Sequence, residues 1–258
     1  MLLVIDVGNT NIVFALYEHD TMRGLWRMAT NRERTSDEYA AWLRQLLDLD
    51  GLSFSAIEGV AMASVVPTVT ENIRRLCAHH LKRQPIVVGD SDINLGLEIA
   101  VDNPSEMGAD RLANAVGALA RYPGPIIVVD FGTATTFDVV DQDQRYYGGV
   151  IAPGPNLSSQ ALTQAAAQLP SIEIAPTQSV IGRDTISAMQ AGLYWGYASL
   201  IEGLLCRISA ELGTPPTVVA TGGLAGLFAK TVTEIRHVDA DLTLCGIQRI
   251  YQLNMDKT

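Results

Sequence analysis

The chain has 258 residues, 48% hydrophobic and 18% charged, a balance that fits a packed globular protein and excludes intrinsic disorder. Its length accommodates one large α/β domain or two domains of roughly 100–150 residues each. A formal net charge of -10 argues against nucleic acid as a main partner, because phosphate backbones need basic patches, and no run approaches the ~20 apolar residues of a membrane span.

In chain order, Leu2-Leu3-Val4-Ile5 reads as a short strand that runs into Asp6-Val7-Gly8-Asn9-Thr10. The run has no basic segment before it and stops at Asp6, which argues against a signal peptide. Strand character resumes from Ile12 to Leu16, and Gly24 to Thr30 is a third strand. Thr35 and Glu38 are spaced as a capping box, opening a helix with Tyr39, Trp42, Leu43, Leu46 and Leu47 on one face. Gly59 to Val66 reads as a buried strand ended by Pro67, Val69 to Leu81 as a helix, and Pro85 to Val88 as another buried strand.

A helix begins near Asp110 and runs through Leu112, Val116 and Leu119. A second series then starts at Ile126-Ile127-Val128-Val129 and enters Asp130-Phe131-Gly132-Thr133-Ala134-Thr135. Thr136 to Val140 continues as a strand, Asp141 to Gln144 turn, and Tyr146 to Ile151 form the next strand. Arg183 to Leu212 carries a long helical pattern, with Asp184 or Thr185 as its N-cap. Within it Ala188, Gly192 and Gly196 form a small-residue stripe, suited to close helix approach inside the fold or across a dimer. Thr217-Val218-Val219-Ala220 is a buried strand leading into Thr221-Gly222-Gly223.

The two series share one order. Laying Asp6 on Asp130 puts Gly8 on Gly132, Asn9 on Thr133 and Asn11 on Thr135. This implies internal duplication: an N-terminal lobe over residues 1–118, a C-terminal lobe over 119–258, and a cleft between them. Clefts between domains favour ligand sites.

Both turns suit phosphate. Their glycines let oxygens approach the backbone, and Asn9, Thr10, Thr133 and Thr135 add donors. Asp6 or Asp130 would repel a phosphate unless a cation lay between, and hydrated Mg²⁺ takes only one or two carboxylates. The competing reading is two ordinary β-turns, where Asp, Gly and Asn are common. There is no GxxxxGK[ST] loop and no GxGxxG fingerprint. In Gly108-Ala109-Asp110-Arg111, Asp110 could be a general base toward a hydroxyl and Arg111 could bind an anionic group. It could equally be a helix N-terminal carboxylate that complements the helix dipole, beside a solvated arginine. Gly222 and Gly223 leave room for a flat base or make a tight strand-to-helix turn. Cys77, Cys206 and Cys245 show no CxxC or metal spacing and read as reduced thiols in a cytoplasmic protein; His19, His79, His80 and His237 read as surface residues.

Together, Asp6 to Asn11, Asn103-Pro104 with Gly108 to Arg111, Asp130 to Thr135, Gly149 to Gly154 and Thr221 to Gly223 resemble the type III pantothenate kinases. The resemblance spans nearly the whole chain and places it with the acetate kinase, sugar kinase, Hsp70 and actin superfamily. It implies an α/β fold of duplicated ribonuclease H-like lobes, with a mixed β-sheet in each and an interlobe cleft. It also implies phosphorylation of pantothenate by ATP, the first committed step toward coenzyme A. Carried over, Asp110 is the base, and Gly108, Ala109 and Arg111 line the pantothenate site with it. Asp6, Val7, Gly8, Asn9, Thr10 and Asn11 hold the Mg²⁺–ATP phosphates, with Asp6 meeting the Mg²⁺ through water; Thr133, Gly222 and Gly223 also serve ATP. Asp130 binds a monovalent cation, K⁺ or NH₄⁺. Thr185 contacts pantothenate across a homodimer interface. The chain departs from the family pattern at Val101, where an aromatic residue often stands two positions before the Asn-Pro pair. A kinase for another small hydroxy acid, or a nucleotide-binding regulatory (transcription accessory) protein, are the alternatives; the intact Asp110-Arg111 pair and both turns favour catalysis.

Overall fold

The computed structural model describes residues 1–165, 170 and 172–255. The first elements are the strands β1 (Leu2–Val7), β2 (Asn11–Glu18) and β3 (Thr21–Ala29), helix α1 (Ser36–Leu49), β4 (Gly59–Ser64), helix α2 (Pro67–Leu76), and the short strands β5 (Ile86–Val87) and β6 (Glu98–Ile99). Helix α3 (Ala109–Arg121) follows, then β7 (Ile126–Phe131), β8 (Ala134–Val140), β9 (Arg145–Pro153), α4 (Pro155–Ala165) and α5 (Thr185–Leu212). Strand β10 (Thr217–Gly222), the four-residue helix α6 (Ala225–Phe228), β11 (His237–Val238) and α7 (Leu242–Met255) complete the chain. Among the described residues no helix is long and apolar enough to cross a membrane.

The expected duplication is visible in the sheets. One has the strand order β3-β2-β1-β4-β5; the other has β11-β10-β7-β8-β9-β6. Without β6, the second sheet repeats the first, with β7 in the place of β1, β8 of β2, β9 of β3, β10 of β4 and β11 of β5. In each, three antiparallel strands precede two that run parallel to the first. The inner strands β4 and β7 are apolar runs buried almost throughout, as strands covered on both faces must be.

Local signals account for several boundaries. Thr35 accepts from the Glu38 N–H, and Glu38 Oε2 accepts from the Thr35 N–H at 2.7 Å, which completes the expected capping box of α1. Proline at its first position opens α2, which passes into a wide turn at Cys77–Leu81 and ends at Lys82 in the left-handed region. Asp184, not Thr185, caps α5: its side chain accepts from the Ser187 N–H at 2.9 Å.

The chain forms two compact units. The first contains Met1–Glu98, Asp102–Arg121 and the stretch from Asp241; the second contains Ile99–Val101 and Tyr122–Ala240. A division at 118/119 would assign α7 to the second unit, whereas it belongs with α3 in the first. The reason is a reciprocal pair of glycines. A Cβ on Gly246 would lie 1.8 Å from the Ala113 carbonyl oxygen, and one on Gly117 would lie 2.4 Å from that of Leu242. The helices therefore meet backbone to backbone. Thr243 adds a hydrogen bond, donating its hydroxyl to the buried Asn114 Oδ1 at 2.6 Å.

The strand registers correct one alignment. Val7 pairs with Ile12, but Phe131 pairs with Thr135. The second turn is thus one residue shorter, and the counterpart of Thr135 is Ile12 rather than Asn11.

Candidate active site

Asp6 is the penultimate residue of β1, in register with Val13 on β2 and Ala63 on β4. The turn after it closes when the Gly8 N–H donates to the Asn11 carbonyl at 2.9 Å. Thr30, just past β3, braces it twice: its N–H donates to the Thr10 carbonyl at 2.9 Å and its hydroxyl to the Gly8 carbonyl at 2.7 Å. With these carbonyls tied back, Asn9, Thr10 and Asn11 stand exposed at the strand ends. A braced, exposed polar turn beyond buried strands suits an anion better than a plain connection does.

Asp130 occupies the matching place on β7, between Thr136 on β8 and Thr221 on β10. Its turn is fixed from three sides. Gly132 N–H donates to the Ala134 carbonyl at 3.0 Å, Gly154 N–H to Thr133 at 3.1 Å, and Gly223 N–H to Phe131 at 3.2 Å. Gly222 has φ 87°, and a Cβ there would fall 2.7 Å from both Asp130 Oδ1 and the Phe131 carbonyl oxygen. Only glycine can bring the end of β10 against that carboxylate. Gly132, Thr133, Gly222 and Gly223 are exposed.

Asp110 lies in the first turn of α3, which Leu112 opens by donating its N–H to the Gly108 carbonyl at 3.1 Å. Asp110 Oδ1 accepts from the Arg111 N–H at 2.8 Å, and a Cβ on Gly108 would stand 2.6 Å from that oxygen. Burial raises the Asp110 pKa above the usual carboxylate value, and the Arg111 N–H and guanidinium oppose the rise only in part. A solvated dipole-complementing aspartate would not be shifted this way; a more basic carboxylate is a better proton acceptor.

Thr185 is exposed at the start of α5, freed from capping by Asp184. It lines a hollow of about 660 Å³ with Ser158, Leu162, Ala188, Met189 and Gly192. The stripe of Ala188, Gly192 and Gly196 faces outward, and a Cβ on either glycine would meet nothing within 4 Å. All four histidines are exposed, and none of the three cysteines forms a disulfide.

Two features of β8 escaped the sequence reading. Asp138 is fully buried, with Tyr146 donating to its Oδ1 at 2.5 Å and Thr136 to its Oδ2 at 3.1 Å. Thr135 is also fully buried, and its hydroxyl has no hydrogen-bond partner among the described residues. The signal was a carboxylate inside the strand Thr-Thr-Phe-Asp-Val-Val, where alternation alone gives no reason for one.

Comparison with known proteins places the chain in a family. The chain is 55% identical to the type III pantothenate kinase of Paramagnetospirillum magneticum over 98% of each chain. It is 54% identical to that of Rhodospirillum rubrum, over 98% of this chain and 99% of the other. Among solved structures, a ROK hexokinase from Thermus thermophilus covers 100% of this chain and 99% of its own, with a TM-score of 0.53 at 13% identity; the likeness is one of fold. Residues 2–207 match the family described as type III pantothenate kinase, and the chain belongs to that family.

Proposed function

We propose that this chain transfers the γ-phosphoryl group of ATP to the primary hydroxyl of pantothenate, giving 4'-phosphopantothenate, with Asp110 as the general base. The observation that carries the assignment of the base is the half-buried carboxylate at the start of α3, whose pKa is raised by desolvation next to Arg111. The Asp110 carboxylate takes the hydroxyl proton as the pantothenate oxygen bonds to the γ-phosphorus. The bond from that phosphorus to the β,γ-bridging oxygen breaks, ADP leaves with the electron pair, and Asp110 later returns its proton to solvent. Gly108, Ala109 and Arg111 bind pantothenate beside it; the guanidinium suits the substrate carboxylate.

The braced turn from Asp6 to Asn11 binds the ATP phosphates, and Thr133, Gly222 and Gly223 also serve the nucleotide. Asp6 fits a hydrated Mg²⁺, which needs a single carboxylate and keeps its water. Asp130 fits a monovalent cation, K⁺ or NH₄⁺, because β10 is pressed so close to its carboxylate that a Cβ at Gly222 would collide with it. When bound, these ions neutralise phosphate charge.

The enzyme acts as a homodimer in the cytoplasm, where its cysteines, which form no disulfide, stay reduced. The outward stripe on α5 and the exposed Ile151 (64%), Ile181 (79%) and Ile186 (50%) support self-association, in which Thr185 of the partner subunit reaches pantothenate. ADP release measured with and without pantothenate, in potassium and then in sodium, tests the reading. Pantothenate-dependent release stimulated by potassium is expected. Release with other hydroxy acids but not pantothenate would reassign the substrate, and no turnover with Mg²⁺ and potassium present would overturn the kinase assignment.

A further inference from the structure

We propose that Asp138 is a positioning residue that holds the Thr136 hydroxyl proton, so that the Thr136 oxygen offers only lone pairs beside Asp130, as a ligand for the monovalent cation. This rests on the cation reading of Asp130 given above.

The argument begins with proton counting. Both hydroxyls on Asp138 donate to its carboxyl oxygens: Tyr146 to Oδ1 at 2.5 Å and Thr136 to Oδ2 at 3.1 Å. A threonine hydroxyl has one proton and two lone-pair sites. With its proton committed to Asp138, Thr136 can present only lone pairs to its other side. That side adjoins Asp130, the residue directly opposite Thr136 in the β7–β8 register. Residues directly opposite in an antiparallel pair hold their Cβ atoms about 4.5–5.5 Å apart. A carboxylate and an oriented hydroxyl oxygen repel a phosphate oxygen and attract a cation. Potassium takes such oxygens as ligands, and ammonium donates hydrogen bonds to them, so the same pair suits both ions.

The duplication supplies an independent observation. In the first unit Asp6 stands opposite Val13, and the counterpart of Asp138 is Ala15, which pairs with Val4 as Asp138 pairs with Val128. The fold thus accommodates an Asp-x-Gly strand with apolar neighbours at both positions. The hydroxyl–carboxylate pair occurs only at the second turn, the one to which the cation is assigned. A fully buried carboxylate is costly unless it is hydrogen-bonded, so structural need alone does not explain placing one where alanine serves in the other unit.

Equilibrium binding of thallium(I), a potassium surrogate, to the intact chain without substrates tests this by thallium NMR. The potassium concentration for half-maximal ADP release is measured in parallel. Thr136→Val and Asp138→Asn should each weaken thallium binding about 10–100-fold, as loss of ligand or of outer-shell support typically does. Thr136→Ser, which keeps the hydroxyl, should restore it, and the KM for ATP should not follow the thallium affinity. Should Asp138→Asn fail to fold, Thr136→Val still decides, since valine occupies the matching position in the first unit. Wild-type thallium binding by Thr136→Val would sink the inference and leave the Asp130 reading standing. No thallium binding by the unaltered chain would remove both.

Discussion

The two Asp-x-Gly turns occupy the same place in two sheets of the same strand order, yet they are built differently. The first is longer by one residue and braced by Thr30, with Val13 and Ile12 on the returning strand. The second is braced by Gly154 and Gly223, with Thr136 and Thr135 at the corresponding positions. At the neighbouring strand, Ser64 pairs with Val7 where Gly222, at φ 87°, pairs with Phe131. Duplication set the same backbone twice, and the side chains and bracing then made the two turns different, which is the difference the proposed phosphate and cation roles draw on.

The largest expected effect lies on α3, in the same unit as the first turn. Asp110→Asn should lower kcat by about 10²–10⁴-fold, the usual contribution of a general base. Because burial raises the Asp110 pKa in the folded chain, the folded state keeps its proton to higher pH than the unfolded state does. The stabilisation from that proton is complete below the unfolded pKa and lost as pH rises through the folded one. At neutral pH the ionised carboxylate is therefore a cost, and Asp110→Asn should raise Tm while lowering turnover by that factor. The wild-type rate should fall as pH drops through the raised pKa. A loss of Tm on Asp110→Asn would show the residue to be structural.

Next in size is the glycine crossing that anchors α3. Gly246→Val would force a Cβ onto the Ala113 carbonyl and should cost about 1–3 kcal/mol or more, read as a lower denaturation midpoint. Smaller again is the contrast at the strand ends. Gly222→Ala should destabilise by about 1–3 kcal/mol, the cost of holding a side chain in that backbone region, whereas Ser64→Ala in the first unit should be milder. Equal losses would remove the distinction between the two turns.

The smallest effect separates Ile12 from Thr135. Thr135 keeps a buried hydroxyl without a partner among the described residues, a state that costs about 1–3 kcal/mol. Thr135→Val should leave stability unchanged or improve it, and Ile12→Thr should lower it, both by chemical denaturation.

Much of this was legible in the sequence because it is local. The Thr35/Glu38 box, the apolar runs of β4 and β7 and the repeated Asp-x-Gly order all follow from short patterns. The resemblance named the family, which identity over nearly the full chain then supported. What the sequence hid is non-local. The return of α7 to α3 depends on two glycines more than a hundred residues apart in sequence, and α7 has little amphipathic pattern to announce it. The one-residue difference between the turns shows only in strand register, so a residue-by-residue alignment set Asn11 on Thr135. Asp184 and Thr185 are adjacent and both are good caps, so only side-chain geometry separates them. Asp138 is one carboxylate among many until its burial is known.

The most direct test is a potassium titration of pantothenate-dependent ADP release by the unaltered chain, Asp6→Asn and Asp130→Asn. The account predicts pantothenate-dependent turnover in the unaltered chain, potassium stimulation retained at a much lower rate in Asp6→Asn, and stimulation lost in Asp130→Asn. The same potassium response in both variants, or no pantothenate-dependent release by the unaltered chain at any potassium concentration, would contradict it.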